Sequence, residues 1–363
     1  MNSRIPIYEP WVAATQEDNV LACLRENWIS SRGRFVDKFE KQLCEYTGLS
    51  AIASCSNGTT ALHLALLALG LKEGDEILIP SFAYVAAVNA ISYVRATPRF
   101  VDIDPSTWNI CPTDAEKKIS PKTKAIICVH TYGVPCDMTT LRDFADHNNL
   151  FLIEDSAEAL GSFQGGKHIG TTADVCTFSF FGNKTITTGE GGAVGSCDPD
   201  IVAIVRRLKN QGLVEHGGYE HDIVAYNYRM TNIQAAIGVA QLAEVNKILD
   251  LKRKIADRYR RDLIEVAEFQ DCSTLQCSNW INTIKLGSIE RTQVVHKALE
   301  SNNIEVRPGF SPVDKMPMYI SEPMLPRTQE INGRLLCLPS HPGLTEDQQT
   351  RVIEAITDEF KSK

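Results

Sequence analysis

No apolar run in this sequence approaches the roughly 18 residues that a membrane-crossing helix requires, so nothing in it points to a membrane. The opening MNSRIPIYEP has no basic segment leading into an apolar one, and a secretory leader is not expected. CxxC pairs and regular cysteine spacing are both missing, and the eleven cysteines are odd in number. That pattern disfavours a disulfide framework. Cys128, His130 and Cys136 lie close along the chain, but their spacing matches no standard zinc site, and no metal is expected. Several cysteines sit inside apolar runs, such as Cys128 in AIICV and Cys337 in LLCLP, the setting of reduced, buried thiols in a cytoplasmic protein. Basic excess is also lacking. A net charge of -8 argues against non-specific nucleic-acid binding, although a few local cations would suffice for a phosphorylated substrate. Internal repeats and low-complexity segments are absent.

What is there is ordinary globular composition, 43% hydrophobic and 23% charged, over 363 residues that suit two domains. Between residues 50 and 200 one theme recurs: an apolar run, a polar or glycine-containing turn, then a helical segment. AIASC (51–55) precedes SNGTTALHLALLALG, EILIP (76–80) precedes SFAYVAAVNAISYV, and AIICVH (125–130) precedes MTTLRDFADHNN. LFLIED (150–155) leads to SAEAL, while DVCTFSFF (174–181) and GGAVGS (191–196) read as two strands joined by a glycine-rich loop. The runs lack period-two polarity, as expected of strands covered on both faces of a largely parallel sheet. From about Ala235 to Val266 the pattern is one long connecting helix. Short strands (INTIKL, NIEVRP) then mix with helices (TQVVHKALESNN, DQQTRVIEAITDEF). The expected division is an arm and large domain over 1–250, and a small α+β domain over 251–363.

Ligands of open α/β sheets bind beyond the carboxyl ends of the strands. After 51–55 come Ser56-Asn57-Gly58-Thr59-Thr60, whose amides and hydroxyls suit a phosphate cradle, or simply cap a helix. Tyr84 follows 76–80 and is placed either to stack on a flat heterocycle or to pack in the core. Asp155 tips an apolar strand, placed to hydrogen-bond a cationic ring nitrogen or to cap the SAEAL segment. The sharpest feature is Phe178-Ser179-Phe180-Phe181-Gly182-Asn183-Lys184, followed by TITTGEGG. A lysine on such a loop reaches into a cleft, where desolvation frees its amine for nucleophilic attack. A solvated surface charge is the alternative for any single lysine, but it leaves the coordinated strand-end features unexplained.

Taken together, SNGTTALHLALLALGLKEGDEILIPSF, ATPRFVDID, HTYGVPCDM, IEDSAEALGS, TFSFFGNKTITTGEGG and YNYRMTNIQAAIG resemble the signature blocks of sugar-nucleotide aminotransferases. The resemblance runs from WISSRGRFVDKFE to LPSHPGLT. It implies a fold-type I aminotransferase architecture, α/β, with a mostly parallel mixed sheet flanked by helices and a smaller C-terminal α+β domain. It also implies pyridoxal 5'-phosphate (PLP), held by Lys184 as a Schiff base with Asp155 on the pyridinium nitrogen. Glu158 then falls near the cofactor's 3-oxygen, Tyr84 stacks on the ring, and Gly58, Thr59 and Ser179 form the phosphate site. Asn227 matches an asparagine that reaches the phosphate from the other subunit of a homodimer, and Arg229 and Arg307 match positions near the nucleotide-sugar. The family usually has histidine where Asp314 stands, in a stretch associated with substrate. The expected reaction turns a nucleotide-linked 4-keto-6-deoxysugar into the 4-amino sugar, with glutamate as donor. The FFGNKTITTGEGG and YNYRMTN blocks look closest to members acting on GDP-sugars; dTDP- or UDP-sugars, or a non-catalytic relative of the same fold, are the alternatives.

Overall fold

The computed structural model describes residues 3–214, 218–273, 275–320 and 325–361. Two helices, α1 (Gln16–Arg25) and α2 (Arg34–Thr47), precede β1 (Ala51–Cys55), α3 (Gly58–Ala68), β2 (Glu76–Pro80), α4 (Ala86–Tyr93) and β3 (Thr97–Val101). The short α5 (Pro112–Glu116) leads to β4 (Thr123–Val129), α6 (Met138–His147) and β5 (Phe151–Asp155). A small hairpin, β6 (Phe163–Gln164) and β7 (Lys167–His168), precedes β8 (Val175–Ser179), β9 (Gly192–Ser196) and α7 (Pro199–Lys209). Then follow α8 (Asn232–Ala243), α9 (Val245–Leu263), β10 (Asn282–Lys285), α10 (Ile289–Ser301) and β11 (Arg307–Pro308). The chain closes with α11 (Pro326–Ile331), β12 (Leu335–Leu338) and α12 (Glu346–Lys361).

β1 to β5, β8 and β9 form one seven-stranded sheet in the order β1-β9-β8-β5-β4-β2-β3. β9 runs antiparallel to both its neighbours, β1 and β8, and the pairings from β8 across to β3 are parallel. The lysine loop causes the reversal, because it returns the chain directly beside β8 without a crossover helix. β4 shows why the strands carry no polar alternation. Its Ala125, Ile127 and Val129 join one buried cluster with α3 and α4, while Ile126 and Cys128 join another with α6. Burying each such aliphatic side chain contributes about 1.5–3 kcal/mol, and here both faces collect it.

A second, antiparallel sheet has the order β10-β12-β11. It packs with α9, α10 and α12 around Ile284, Leu299, Leu338 and Val352. Ile5 joins this cluster from the start of the chain: its N–H donates to Asn303 O at 3.0 Å and its carbonyl accepts from Glu305 N at 2.9 Å.

Three local outcomes differ from the pattern in the sequence. The long helix read from Ala235 to Val266 is two helices that meet at Glu244, where φ is -109° and ψ 8°. The Glu244 carboxylate is drawn out of register by the Trp11 indole N–H at 3.0 Å and the Ala14 N–H at 2.8 Å. SAEAL forms turns rather than a helix, ending at Gly161, whose φ of +87° and contact with Leu249 suit only glycine. β3 and β12 are additional strands, and Pro98 is tolerated in β3 because that strand lies at the sheet edge. Among the described residues no helix is long and apolar enough to cross a membrane, and no group of three or more His, Cys, Asp or Glu could hold a metal ion.

Candidate active site

The carboxyl ends of β1, β5 and β8 open into one cavity of about 1070 Å³. On one side, Asn57 caps α3: its Oδ1 accepts the Thr60 N–H at 2.9 Å, and its own N–H donates to Thr60 Oγ1 at 3.2 Å. The first amides of a helix have no partner within it, so Gly58 and Thr59 present N–H groups at the cavity wall. Close packing seats this turn. A Cβ on Gly58 would lie 2.8 Å from Ser179 Cβ, and one on Gly192 would lie 2.4 Å from the Asn57 carbonyl oxygen.

At the floor, Asp155 ends β5 almost wholly buried, and its Oδ1 accepts the Ala157 N–H at 3.1 Å. Glu158 lies in the turn that follows. Its Oε2 accepts the Tyr132 N–H at 2.8 Å, and its Oε1 is 3.8 Å from Lys184 Nζ. Tyr132 supplies that N–H from a left-handed conformation, φ 57°, at the end of β4. Gly133 follows at φ +95°, where a Cβ would strike Ser278 Oγ at 2.3 Å. Lys184 occupies the loop between β8 and β9, turned inward by its N–H to the Phe181 carbonyl at 3.0 Å. Its carbonyl accepts the Tyr8 hydroxyl at 2.9 Å, and its Nζ lies 3.9 Å from the centre of the Trp280 ring.

Burial sets the charges. It lowers the basicity of Lys184, against the opposing pull of Glu158 and Asp155. It pushes the Glu158 carboxyl up to about 7, with Lys184 and the Tyr132 N–H opposing, and it raises Asp155 against the Ala157 N–H and Lys184. A cation placed against Asp155 would restore its charge. Behind the floor, His130 Nδ1 accepts the Cys136 N–H at 3.0 Å while Nε2 is 2.9 Å from Glu154 Oε2, so the ring is a neutral donor to a buried carboxylate. Glu154 also accepts the Gly170 and Ala173 N–H groups.

The structure brings Gly58, Thr59, Tyr84, Asp155, Glu158, Ser179, Lys184 and Arg307 around this one cavity. Tyr84 is 57% exposed and faces Phe310 across 5.9 Å, so its ring is free to stack. Arg307, near the mouth, lies 3.6 Å from Glu305. Three of the expected residues lie elsewhere. Asn227 is exposed and pairs with Asn210. Arg229 donates to Asn210 Oδ1 at 2.7 Å and lines a second, smaller cavity with Arg206 and Lys209. Asp314 is buried behind the wall, bonded to Ser81 Oγ just ahead of Tyr84 and 3.1 Å from Lys315 Nζ. Of the loop 217–234, Gly217 lies outside the described residues. Sequence reasoning missed Tyr8, Tyr132 and Trp280. Only the Tyr-Gly pair after β4 left a local signal, since a non-glycine residue at positive φ before glycine marks a tight turn.

A flat, phosphorylated pyridine aldehyde fits these residues. The cradle that a Cβ on Gly58 would fill can receive the phosphate, burial raises the Asp155 carboxyl even against Lys184 so that a ring cation would favour its ionised form, and the Lys184 amine is buried and of reduced basicity. Among the described residues, buried Asn183 Oδ1, Thr185 Oγ1 and Ser156 Oγ also have no hydrogen-bond partner.

Comparison with known proteins agrees in kind. Residues 11–357 match the model of the DegT/DnrJ/EryC1/StrS aminotransferase family. The chain is 44% identical to GDP-perosamine synthase of Escherichia coli O157:H7, covering 99% of each chain. It is 43% identical to GDP-perosamine synthase of Vibrio cholerae, covering 98% of this chain and 99% of that one. The structure of Spr1654 from Streptococcus pneumoniae in its PLP form superposes with a TM-score of 0.92 at 26% identity, covering 99% of each chain.

Proposed function

The chain belongs to the DegT/DnrJ/EryC1/StrS family of PLP-dependent aminotransferases, and from that premise we propose that it converts a GDP-linked 4-keto-6-deoxysugar to the 4-amino sugar, with glutamate as donor. The full-length likeness to GDP-perosamine synthases carries this reading, and an intact Lys184 between Glu158 and Trp280 supports it.

PLP, when bound, supplies the electron sink that makes a proton on the donor's α-carbon removable. Lys184 holds the cofactor's aldehyde carbon and, once displaced, takes that α-proton and returns it as general base and acid. Its burial favours the neutral, proton-accepting amine. Asp155, at the cavity floor, would hold the ring nitrogen of the cofactor and keep it protonated, an arrangement that would also favour the ionised carboxylate. The Gly58 and Thr59 amides with the Ser179 hydroxyl would bind the phosphate, Tyr84 would stack on the ring, and Glu158 would lie near the phenolic oxygen. Of the residues expected on the nucleotide-sugar side, Arg307 lines the cavity, Arg229 lines the second, smaller one, and Asp314 acts from behind the wall through Ser81.

The chain acts as a homodimer, in which Asn227 of one subunit completes the phosphate site of the other. Residues 1–250 form the arm and large domain and 251–363 the small one, a division supported by separate buried clusters. The enzyme works in the cytoplasm, where its free cysteines stay reduced. The test is side-by-side assay of GDP-, dTDP- and UDP-linked 4-keto-6-deoxysugars with glutamate. GDP-sugar should lead in kcat/KM by about tenfold or more, about 1.4 kcal/mol of discrimination. A higher value for dTDP- or UDP-sugar would reassign the substrate, and turnover by Lys184→Ala would overturn the mechanism.

A further inference from the structure

Trp280 belongs to no element of the large sheet, yet its indole reaches the reacting lysine. Lys184 Nζ lies 3.9 Å from the ring centre, and Trp280 as a whole is only 7% exposed. The indole is fixed from several directions. Its Nε1–H donates to the Asn183 carbonyl at 2.6 Å, the residue directly before Lys184. Its backbone carbonyl accepts the buried Lys252 Nζ at 2.9 Å, and the same amine donates to the Ser340 carbonyl at 2.8 Å. Tyr132 lies nearly parallel to it, with centroids 6.5 Å apart and planes at 23°. Such support holds one face of an aromatic ring against one amine.

We propose that Trp280 is a positioning residue, whose indole face holds the Lys184 amine while it carries a proton and lets it go once that proton is lost. The proposal rests on the reading of Lys184 given above. An aromatic face attracts an ammonium through its quadrupole and barely attracts a neutral amine. Glu158, 3.8 Å away, adds a second attraction that also needs the charge. The protonated amine is therefore parked between a carboxylate and a π-face, and deprotonation removes both restraints together. Loss of the proton and freedom to move become one event.

Glu158 and Asp155, from β5 and its turn, also act on the amine, and Tyr132, Tyr8, Cys337, Glu305 and Arg307 line the same cavity. Fluorination of the indole leaves all of them in place. Tryptophan analogues of rising fluorine content, installed at position 280 alone by nonsense suppression, weaken the ring quadrupole at nearly constant shape. The readout is the pKa of Lys184 in the full-length, cofactor-free chain, obtained by competitive acetylation across pH with mass spectrometry of the Lys184 peptide. It should fall stepwise with fluorine count, by about one unit in all, the size expected of a desolvated cation–π contact. A second pair, Trp280→Phe and Trp280→Leu, should order the pKa as Trp above Phe above Leu. A Lys184 pKa indifferent to fluorine count would overturn the proposal and leave Trp280 as a mere cover. Failure of the Lys184 assignment itself would appear separately, as turnover in Lys184→Ala.

Discussion

Gly192→Ala should loosen the cofactor by pressing on the backbone of the phosphate cradle, with every side chain that would bind it left in place. Gly192 opens β9, paired with Cys55 of β1 on one side and Ser179 of β8 on the other. A new Cβ there would stand 2.4 Å from the Asn57 oxygen, 2.5 Å from its carbonyl carbon and 2.8 Å from Gly58 N. All three are backbone atoms, so no side-chain rotation relieves the contact. Reaching ordinary contact at 3.4 Å needs a shift of 1.0 Å from 2.4 Å. The sheet holds Gly192 from both sides, so the Asn57–Gly58 turn is the part that moves. Overpacking of this kind costs about 1–3 kcal/mol. If the displaced cradle bears it, Kd for PLP rises about fivefold to about a hundredfold. Gly191→Ala is the internal comparison, because its Cβ would meet the Thr188 hydroxyl and the Met230 methyl, which are side-chain ends able to rotate. Titration of cofactor-free protein by the absorbance of bound PLP, with thermal melts alongside, reads both effects. A Kd for Gly192→Ala within about twofold of wild type, accompanied by a lowered Tm, would show that the sheet yields and the turn does not, refuting the reasoning.

Other expectations follow from the same geometry. Asp155→Ala should lower kcat by well over tenfold, because an uncharged ring nitrogen is a poorer sink; a loss below about tenfold, or about 1.4 kcal/mol, would mean that another group protonates the ring. Mixing Lys184→Ala chains with Asn227→Asp chains should regain about a quarter of wild-type activity, because half the dimers are mixed and each of those has one intact shared site; no recovery, with mixed dimers verified by mass spectrometry, would confine Asn227 to its own chain. In Asp314→His the bond to Ser81 is lost ahead of Tyr84, so KM for the keto-sugar should change while the glutamate half-reaction stays nearly constant; equal damage to both would contradict this. In cofactor-free protein, Glu158 titrates near 7 against an ordinary 4.5, so its contribution to stability is present below about 4.5 and is lost as pH rises toward 7. Glu158→Gln should remove that slope from Tm-versus-pH curves between those values, and an unchanged slope would place the titration elsewhere.

The strands of the large sheet were legible because burial on both faces makes them continuous apolar runs, and the lysine loop stood out through its glycines. β3 escaped notice because an edge strand can carry Pro98 and exposed residues, which mimic a loop. The break at Glu244 was invisible because its cause, Trp11 and Ala14, lies more than two hundred residues earlier. Lys184, Asp155 and Glu158 could be named from the chain, since each follows a strand end directly or sits within a recognisable block. Trp280 and Tyr8 could not. They reach the site from the small sheet and the N-terminal arm, and only the folded chain places them beside residue 184. Asp314 shows the opposite limit: the segment suggested a substrate contact, whereas its carboxylate is buried against Ser81.

The docking of the N-terminal arm also fixes an order of events at the ribosome. Ile5 bonds to Asn303 and Glu305, the Ile7 carbonyl accepts from Ser340, and Tyr8 closes over Lys184. The arm leaves the exit tunnel well before its docking partners, which lie about three hundred residues further along the chain. At roughly 10 residues per second, translation from Tyr8 to Ser340 lasts about half a minute. During that interval β1 to β5, β8 and β9 can assemble as a sheet while the arm waits unpaired. The nascent chain can therefore complete the phosphate cradle long before it seals the lysine, and the arm that closes the site is made well before the strands that hold it.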